Sequence, residues 1–238
     1  MKNQTGKYFK YAIGEIVLVV IGILIALAIS NWNSNRIQNN KNKELLIKLS
    51  KEIDQNIERT LVLDTIENGF KNRYKSTDSV IKILNKGITV EDLGFITSQK
   101  NYYTITINFN TIAFEELKNT GSLYALGSDS IVSAIQNYYK LCERESFYNY
   151  EIGQSVISLQ EKCYDGYFRF RDFFLQDPNK AIAYHNWIFD PQSQNYVSYK
   201  QYVNRNKVHS NMMVNKMAGI LEASKKLNKL INEEINKQ

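Results

Sequence analysis

Fourteen consecutive residues, Ile16 to Ile29 (IVLVVIGILIALAI), carry no polar side chain. Counting the interfacial residues on either side, the stretch runs from Tyr11 to Trp32, twenty-two residues. At 1.5 Å per residue this makes a helix of about 33 Å, enough to cross a hydrocarbon layer of about 30 Å. Tyr8, Phe9 and Tyr11 flank one end and Trp32 the other, where amphipathic rings favour the membrane–water boundary. The segment is therefore read as a transmembrane helix. The chain is 43% hydrophobic, an ordinary value, because an asparagine- and lysine-rich remainder dilutes the run.

A cleaved signal peptide is the competing reading. Lys2, Lys7 and Lys10 would supply its basic end, and Ala26-Leu27-Ala28 or Ala28-Ile29-Ser30 its cleavage site. The length of the run and the aromatic Trp32 beyond the candidate cut favour an anchor. Basic residues are nearly balanced across the span, with Lys2, Lys7 and Lys10 on one side and Arg36, Lys41 and Lys43 on the other. Long polar domains translocate largely regardless of such charge. The expectation is thus a cytoplasmic N-terminus (1–10), a membrane helix (11–32), a polar juxtamembrane segment (33–45) and an extracytoplasmic domain (46–238).

The segments Tyr11-Ala12-Ile13-Gly14-Glu15-Ile16, Leu18-Val19-Val20, Gly22-Ile23, Ile25-Ala26-Leu27 and Asn31-Trp32-Asn33 together resemble the N-terminal signature of a bacterial family. Its members are small single-pass membrane proteins known only as a domain of unknown function. A weaker similarity continues at Phe114-Glu115-Glu116-Leu117-Lys118-Asn119-Thr120-Gly121. The resemblance implies an uncleaved anchor at the bacterial inner membrane, and it brings no activity, ligand or catalytic residue. The family commonly has a glutamine after Ile-Ala-Leu, where this chain has Ala28.

Gly14, Gly22, Ala26 and Ser30 fall at multiples of four, with Leu18 between them, and form a stripe of small residues. Such residues let helices approach closely in lipid. Glu15 lies near the stripe. It has three readings: snorkelling to water, pairing with a polar group on a neighbouring helix, or relaying protons as in ion-driven motor subunits. The last fits poorly, since acids of that kind sit deeper. Gly14, Glu15, Gly22, Ala26 and Ser30 are the candidate packing residues, with a homo-oligomer or other membrane subunits as partners.

Beyond the span the pattern is helical. The chain has two prolines, Pro178 and Pro191, and 11 glycines, too few for a fold built on turns. Six asparagines in residues 31–42 mark a stretch that either continues the helix or frays, and a solvated spacer is the preferred reading. Leu46, Leu49, Ile53, Ile57 and Leu61 recur at helical spacing, extended by Phe70 and Tyr74, with an expected end before Ser76-Thr77-Asp78. A second helical piece, Ser79 to Asn85, would stop at Lys86-Gly87. Residues 101–110 alternate, with Tyr103, Ile105, Ile107 and Phe109 on one side, and Gly87–Val90 is the nearest strand partner. Asn110 or Thr111 would cap a helix ending at Asn119-Thr120-Gly121.

From Asp129 a seam of three- and four-residue steps runs through Ile131, Ile135, Tyr138, Cys142, Glu145, Asn149, Ile152, Val156, Leu159, Cys163, Tyr167, Phe170 and Phe174. At its polar centre, Glu145 and Asn149 predict a kink or solvent-facing gap, or else the floor of a polar pocket. After a loop around Pro178 and Pro191, a last helix presents Met213, Met217, Ile220, Ser224, Leu227, Ile231 and Ile235. The fold class is all-α, an elongated antiparallel bundle with at most one extended or hairpin segment near 101–110.

Chemistry is sparse. Cys142 and Cys163 would lie about 31 Å apart on one straight helix, beyond disulfide reach. They are read as two buried thiols, and neither has an adjacent histidine or a CxxC spacing. His185 and His209 stand alone, so no metal and no cofactor is expected. The sixteen tyrosines and eleven phenylalanines read as core first and as an interaction surface second. The net charge of +6 is spread along helices, which predicts no nucleic-acid partner. No Walker loop, GxSxG, GxGxxG or HExxH occurs. The expected function is a non-catalytic subunit of an inner-membrane complex. The alternatives are a ligand-sensing bundle with polar gaps near Glu145 and Asn149, signalling through a partner, and an enzyme with an unrecognised acid-based site.

Overall fold

The structure, a computed structural model, describes residues 4–99 and 105–237, and among these residues it is all-α with no strand. The first helix, α1 (Gln4–Thr65), is 62 residues long, about 93 Å. Neither glycine nor proline interrupts it between Gly22 and its end. The asparagine-rich stretch expected as a spacer is therefore helical and continuous with the apolar span. The span is long and apolar enough to cross a membrane, and none of it is buried by the rest of the protein. Arg36 folds back over Trp32, its guanidinium carbon 5.4 Å from the ring centroid.

The first break comes at residues 66–69, not before Ser76. A Cβ on Gly69 would stand 2.8 Å from the Asp64 carbonyl oxygen, a gap only glycine fits. Asn72 Nδ2 donates to the Ile66 carbonyl at 3.0 Å, and Lys71 pairs with Asp64 across the turn. α2 (Phe70–Lys86) then runs straight through Ser76-Thr77-Asp78, with the Thr77 hydroxyl turned back onto the Arg73 carbonyl at 2.7 Å. It ends at Gly87, which takes a φ of 93°.

Val90 opens a helix, α3 (Val90–Ser98), and so cannot serve as a strand partner. Asp92 caps that helix by accepting from the Thr89 N–H at 2.9 Å. Residues 105–111 form neither helix nor strand, with Ile107 buried and Thr106 and Asn108 exposed, the alternation expected; Tyr103 and the rest of 100–104 lie outside the described residues. Side chains stand in for the missing strand partner. Asn56 of α1 clamps Asn110, donating to its carbonyl at 2.9 Å and accepting from its N–H at 2.7 Å. Asn149 Nδ2 donates to the Ile105 carbonyl at 2.6 Å from the other side.

α4 (Ile112–Asn119) starts after Thr111 and stops at Thr120-Gly121, as its sequence predicts. α5 (Asp129–Lys162) follows and passes through a short π-helical stretch, Tyr164–Phe168, into α6 (Arg169–Gln176). Pro178 sits in the first turn of α7 (Pro178–Tyr184), where its missing N–H costs nothing, and Asp177 accepts from the Lys180 N–H at 3.1 Å. A helix thus replaces part of the expected loop. α8 (Gln194–Ile235) is capped by Ser193, whose hydroxyl accepts from the Tyr196 N–H at 3.2 Å.

α8 is the spine of the domain and packs on α1, α2 and α5. Its face is the one read from sequence, with Met213, Met217, Ile220, Ser224, Leu227 and Ile231 buried and Ile235 packed at the edge. Two apolar cores lie along it. The core nearer the apolar run of α1 joins Leu46, Leu49 and Ile53 of α1 to Leu117, Ile131, Ile135 and Met217. The distal core joins Val80, Leu84, Leu93, Val156, Phe170 and Tyr202. The packing face of α1 departs from the expected one: Asn56, Thr60 and Leu63 are buried, Ile57 is only partly buried and Leu61 is exposed.

Candidate functional site

The five candidate membrane-packing residues lie on the unburied part of α1. Gly14, Glu15, Gly22, Ala26 and Ser30 are all exposed, and a Cβ on Gly14 or Gly22 would meet nothing within 4 Å. The first burial along α1 comes at Asn42, whose Nδ2 donates to the Ala125 carbonyl at 2.5 Å. Nine residues, with a helical rise of about 15 Å from Trp32 to Asn42, therefore separate Trp32 from the domain. In the same helix Leu46, Leu49 and Ile53 enter the core, so span and domain share one rigid element.

Between the two cores lies a polar layer. Glu145 and Asn149 are buried here, in an unbroken stretch of α5 facing α8: the helix does not kink, and Asn149 lines a cavity of about 330 Å³ with Ile105, Ser146 and Gly153, the pocket alternative read from sequence. Glu145 pairs with Lys216 of α8 and, at 2.6 Å, with Arg144. Burial alone would raise its carboxyl, but these two cations hold it below the usual carboxylate range. The Lys216 ammonium also lies 4.6 Å from the centroid of Tyr148. Asn149 Oδ1 meets His209 Nε2 at 3.1 Å. Because the Asn149 amide nitrogen is donating to Ile105, the proton of this contact belongs to His209 Nε2. His209 is 1% exposed, and its Nδ1 has no hydrogen-bond partner among the described residues. Burial, with Arg73 and Arg205 nearby, pushes its pKa down to about 4. A buried histidine held neutral in this way is a packing element and not a titrating base at neutral pH.

A second buried carboxylate was not anticipated. Glu52 of α1, 4% exposed, accepts from the Ala113 N–H at 2.5 Å, the Phe114 N–H at 3.3 Å and the Tyr139 hydroxyl at 2.5 Å. It caps the N-terminus of α4, where a negative charge is favoured. Burial, and then the bond to Glu52, push the Tyr139 hydroxyl far above its ordinary pKa. Three donors meet one carboxylate, so the charge is satisfied without a cation. The only sequence signal for this was an acid set between Leu49 and Ile53 on an apolar face.

The remaining candidates are packing groups. Cys142 and Cys163 are buried and unbridged, and burial pushes each thiol up to about 12, far from a reactive thiolate. His185 sits edge-on to Phe170 and Phe173, both at 6.0 Å. Tyr167 stacks on Tyr199 at 3.6 Å in the distal core. Phe147, Tyr150, Tyr164 and Tyr184 are exposed. Among the described residues no group of three or more His, Cys, Asp or Glu side chains is placed to hold a metal ion.

A family model described as "Family of unknown function (DUF6090)" matches residues 15–169, from Glu15 through the span to the start of α6. No curated protein and no solved structure matches the chain.

Proposed function

The chain belongs to the DUF6090 family of unknown function, and on that premise we propose that it is a membrane-anchored, non-catalytic helical protein, a structural or interaction subunit of an inner-membrane complex. Its N-terminus lies in the cytoplasm and its domain at the outer face of the membrane, with the bilayer and either copies of itself or other membrane subunits as partners. The supporting observation is the continuity of α1. One helix carries an unburied apolar span and then the buried residues Leu46, Leu49 and Ile53. Whatever packs against Gly14, Gly22, Ala26 and Ser30 in lipid is thereby held in fixed geometry to the domain. Glu15, near the same stripe, supplies a polar contact for that neighbour.

The test is replacement of Gly22 and Ala26 by leucine in the full-length protein, followed by size determination of native detergent extracts. The expected result is loss of the larger assembly with the domain still folded. An assembly of unchanged size in the double variant overturns the proposal.

A further inference from the structure

The weakly similar stretch Phe114–Gly121 covers most of α4, which with α5 lines a cavity of about 460 Å³ that Leu123 and Tyr124 also border. That volume lies in the range of small-molecule sites. The back wall is a pair of stacked rings, Phe114 and Tyr139, with centroids 4.0 Å apart and planes 7° from parallel. Glu52 fixes both members, holding the Phe114 N–H and the Tyr139 hydroxyl on one buried carboxylate. The wall is therefore in place before any ligand arrives, which lowers the cost of binding.

The charges around it fall into two classes. Lys118 is engaged, paired with Glu115 at 3.1 Å and set 5.8 Å from the Phe114 centroid. Lys140 and Glu143 of α5 also line the cavity, and neither has an ion-pair partner among the described residues. They stand three residues apart, a spacing that puts two side chains about 5–6 Å from each other on one helix face. The cavity thus offers an aromatic wall with one cation and one anion side by side. A lone amine would leave Lys140 without a counter-charge, and a lone carboxylate would leave Glu143 without one.

We propose that this cavity binds a free zwitterionic α-amino acid with an aromatic side chain. Its ring lies against Phe114 and Tyr139, its carboxylate meets Lys140 and its ammonium meets Glu143. Because Glu52 belongs to α1, the site is tied to the helix that carries the membrane span.

The test is calorimetric titration of the full-length protein in detergent with L-phenylalanine, 2-phenylethylamine, 3-phenylpropionate and glycine. L-Phenylalanine should bind saturably, and each of the other three should bind at least about ten-fold more weakly. Lys140→Met should weaken L-phenylalanine by about ten-fold or more and leave 2-phenylethylamine unchanged. Glu143→Gln should do the converse, sparing 3-phenylpropionate. Both side chains are exposed, so the variants are expected to melt as the parent does without ligand. The proposal is overturned by the absence of saturable L-phenylalanine binding up to about 10 mM. It is equally overturned by truncated probes that bind as tightly as the amino acid, or by variants that weaken every probe alike.

Discussion

Residues 12–41 and residues 42–65 are two halves of one helix, and they are stabilised in opposite ways. In the first half every side chain is exposed to the surroundings, from Leu18 at 73% to Trp32 at 63%. The apolar run within it, Ile16 to Ile29, has no apolar partner inside the protein, which suits an apolar solvent. In the second half the helix makes its own apolar environment: Leu46, Leu49 and Ile53 are wholly buried against α4, α5 and α8. The same backbone geometry therefore carries an unburied apolar run, then the exposed polar stretch 33–41, and from Asn42 onward a packed face. It also explains why buried polar groups, Glu52, Asn56 and Thr60, occur only in the second half. There they find partners from other helices, whereas in the span they would have none within the chain.

The largest expected effect tests this contrast directly. Leu49→Ala removes a fully buried side chain and should destabilise the domain by about 2–5 kcal/mol. Leu18→Ala removes an exposed one and should leave domain stability within about 0.5 kcal/mol of the parent. Denaturant unfolding of both variants in the same detergent, followed by circular dichroism, reads the difference. Equal losses would mean that the two halves do not stand in different environments.

The second effect is a pH dependence arising in the domain against which the second half of α1 packs. His209 is held neutral, with its pKa lowered from 6.5 to about 4. The unfolded chain therefore binds the extra proton first on acidification. Stability is at its full value above pH 6.5 and falls as the pH drops toward about 4, by about 3 kcal/mol in total. Glu145 acts in the same direction but lower, in the carboxylate range, since its pKa is depressed. Unfolding measured at several pH values should show a slope above pH 4 that His209→Gln removes. A slope that persists in the variant would assign it elsewhere.

The legible parts of the fold were those whose partners are local or whose faces are purely apolar. The α8 face from Met213 to Ile231 could be read from spacing alone. So could the all-α class, from the scarcity of turn residues. The α1 face was misread after Ile53 because Ile57 and Leu61 look like core while the helix buries Asn56 and Thr60. Apolar spacing cannot see a polar residue whose partner is distant. Tyr139 reaches Glu52 across 87 residues, and Lys216 reaches Glu145 across 71. Glu145 and Asn149 looked like a gap for the same reason. α3 was a different kind of miss, since the Thr89–Asp92 cap is local and its spacing was present in the sequence. Of the candidate sites, the membrane stripe was visible in sequence, whereas the cavity behind Glu52 depended on contacts among α1, α4 and α5.

The smallest effect sharpens the contrast at a single side chain. Asn56 is a buried polar residue on the packed half of α1, and it acts as a substitute strand, bonding both the N–H and the carbonyl of Asn110. Asn56→Ala removes both bonds and leaves a partly buried backbone pair to find water. The expected cost is about 1–2 kcal/mol, since the extended segment can retain its hold through Asn149 and the buried Ile107. Hydrogen exchange distinguishes this local role from general loosening. The Asn110 amide should lose protection in Asn56→Ala while the α1 amides on either side keep theirs. Uniform loss along α1 would instead mean that Asn56 supports the helix itself, and that the extended segment is held by its buried side chains alone.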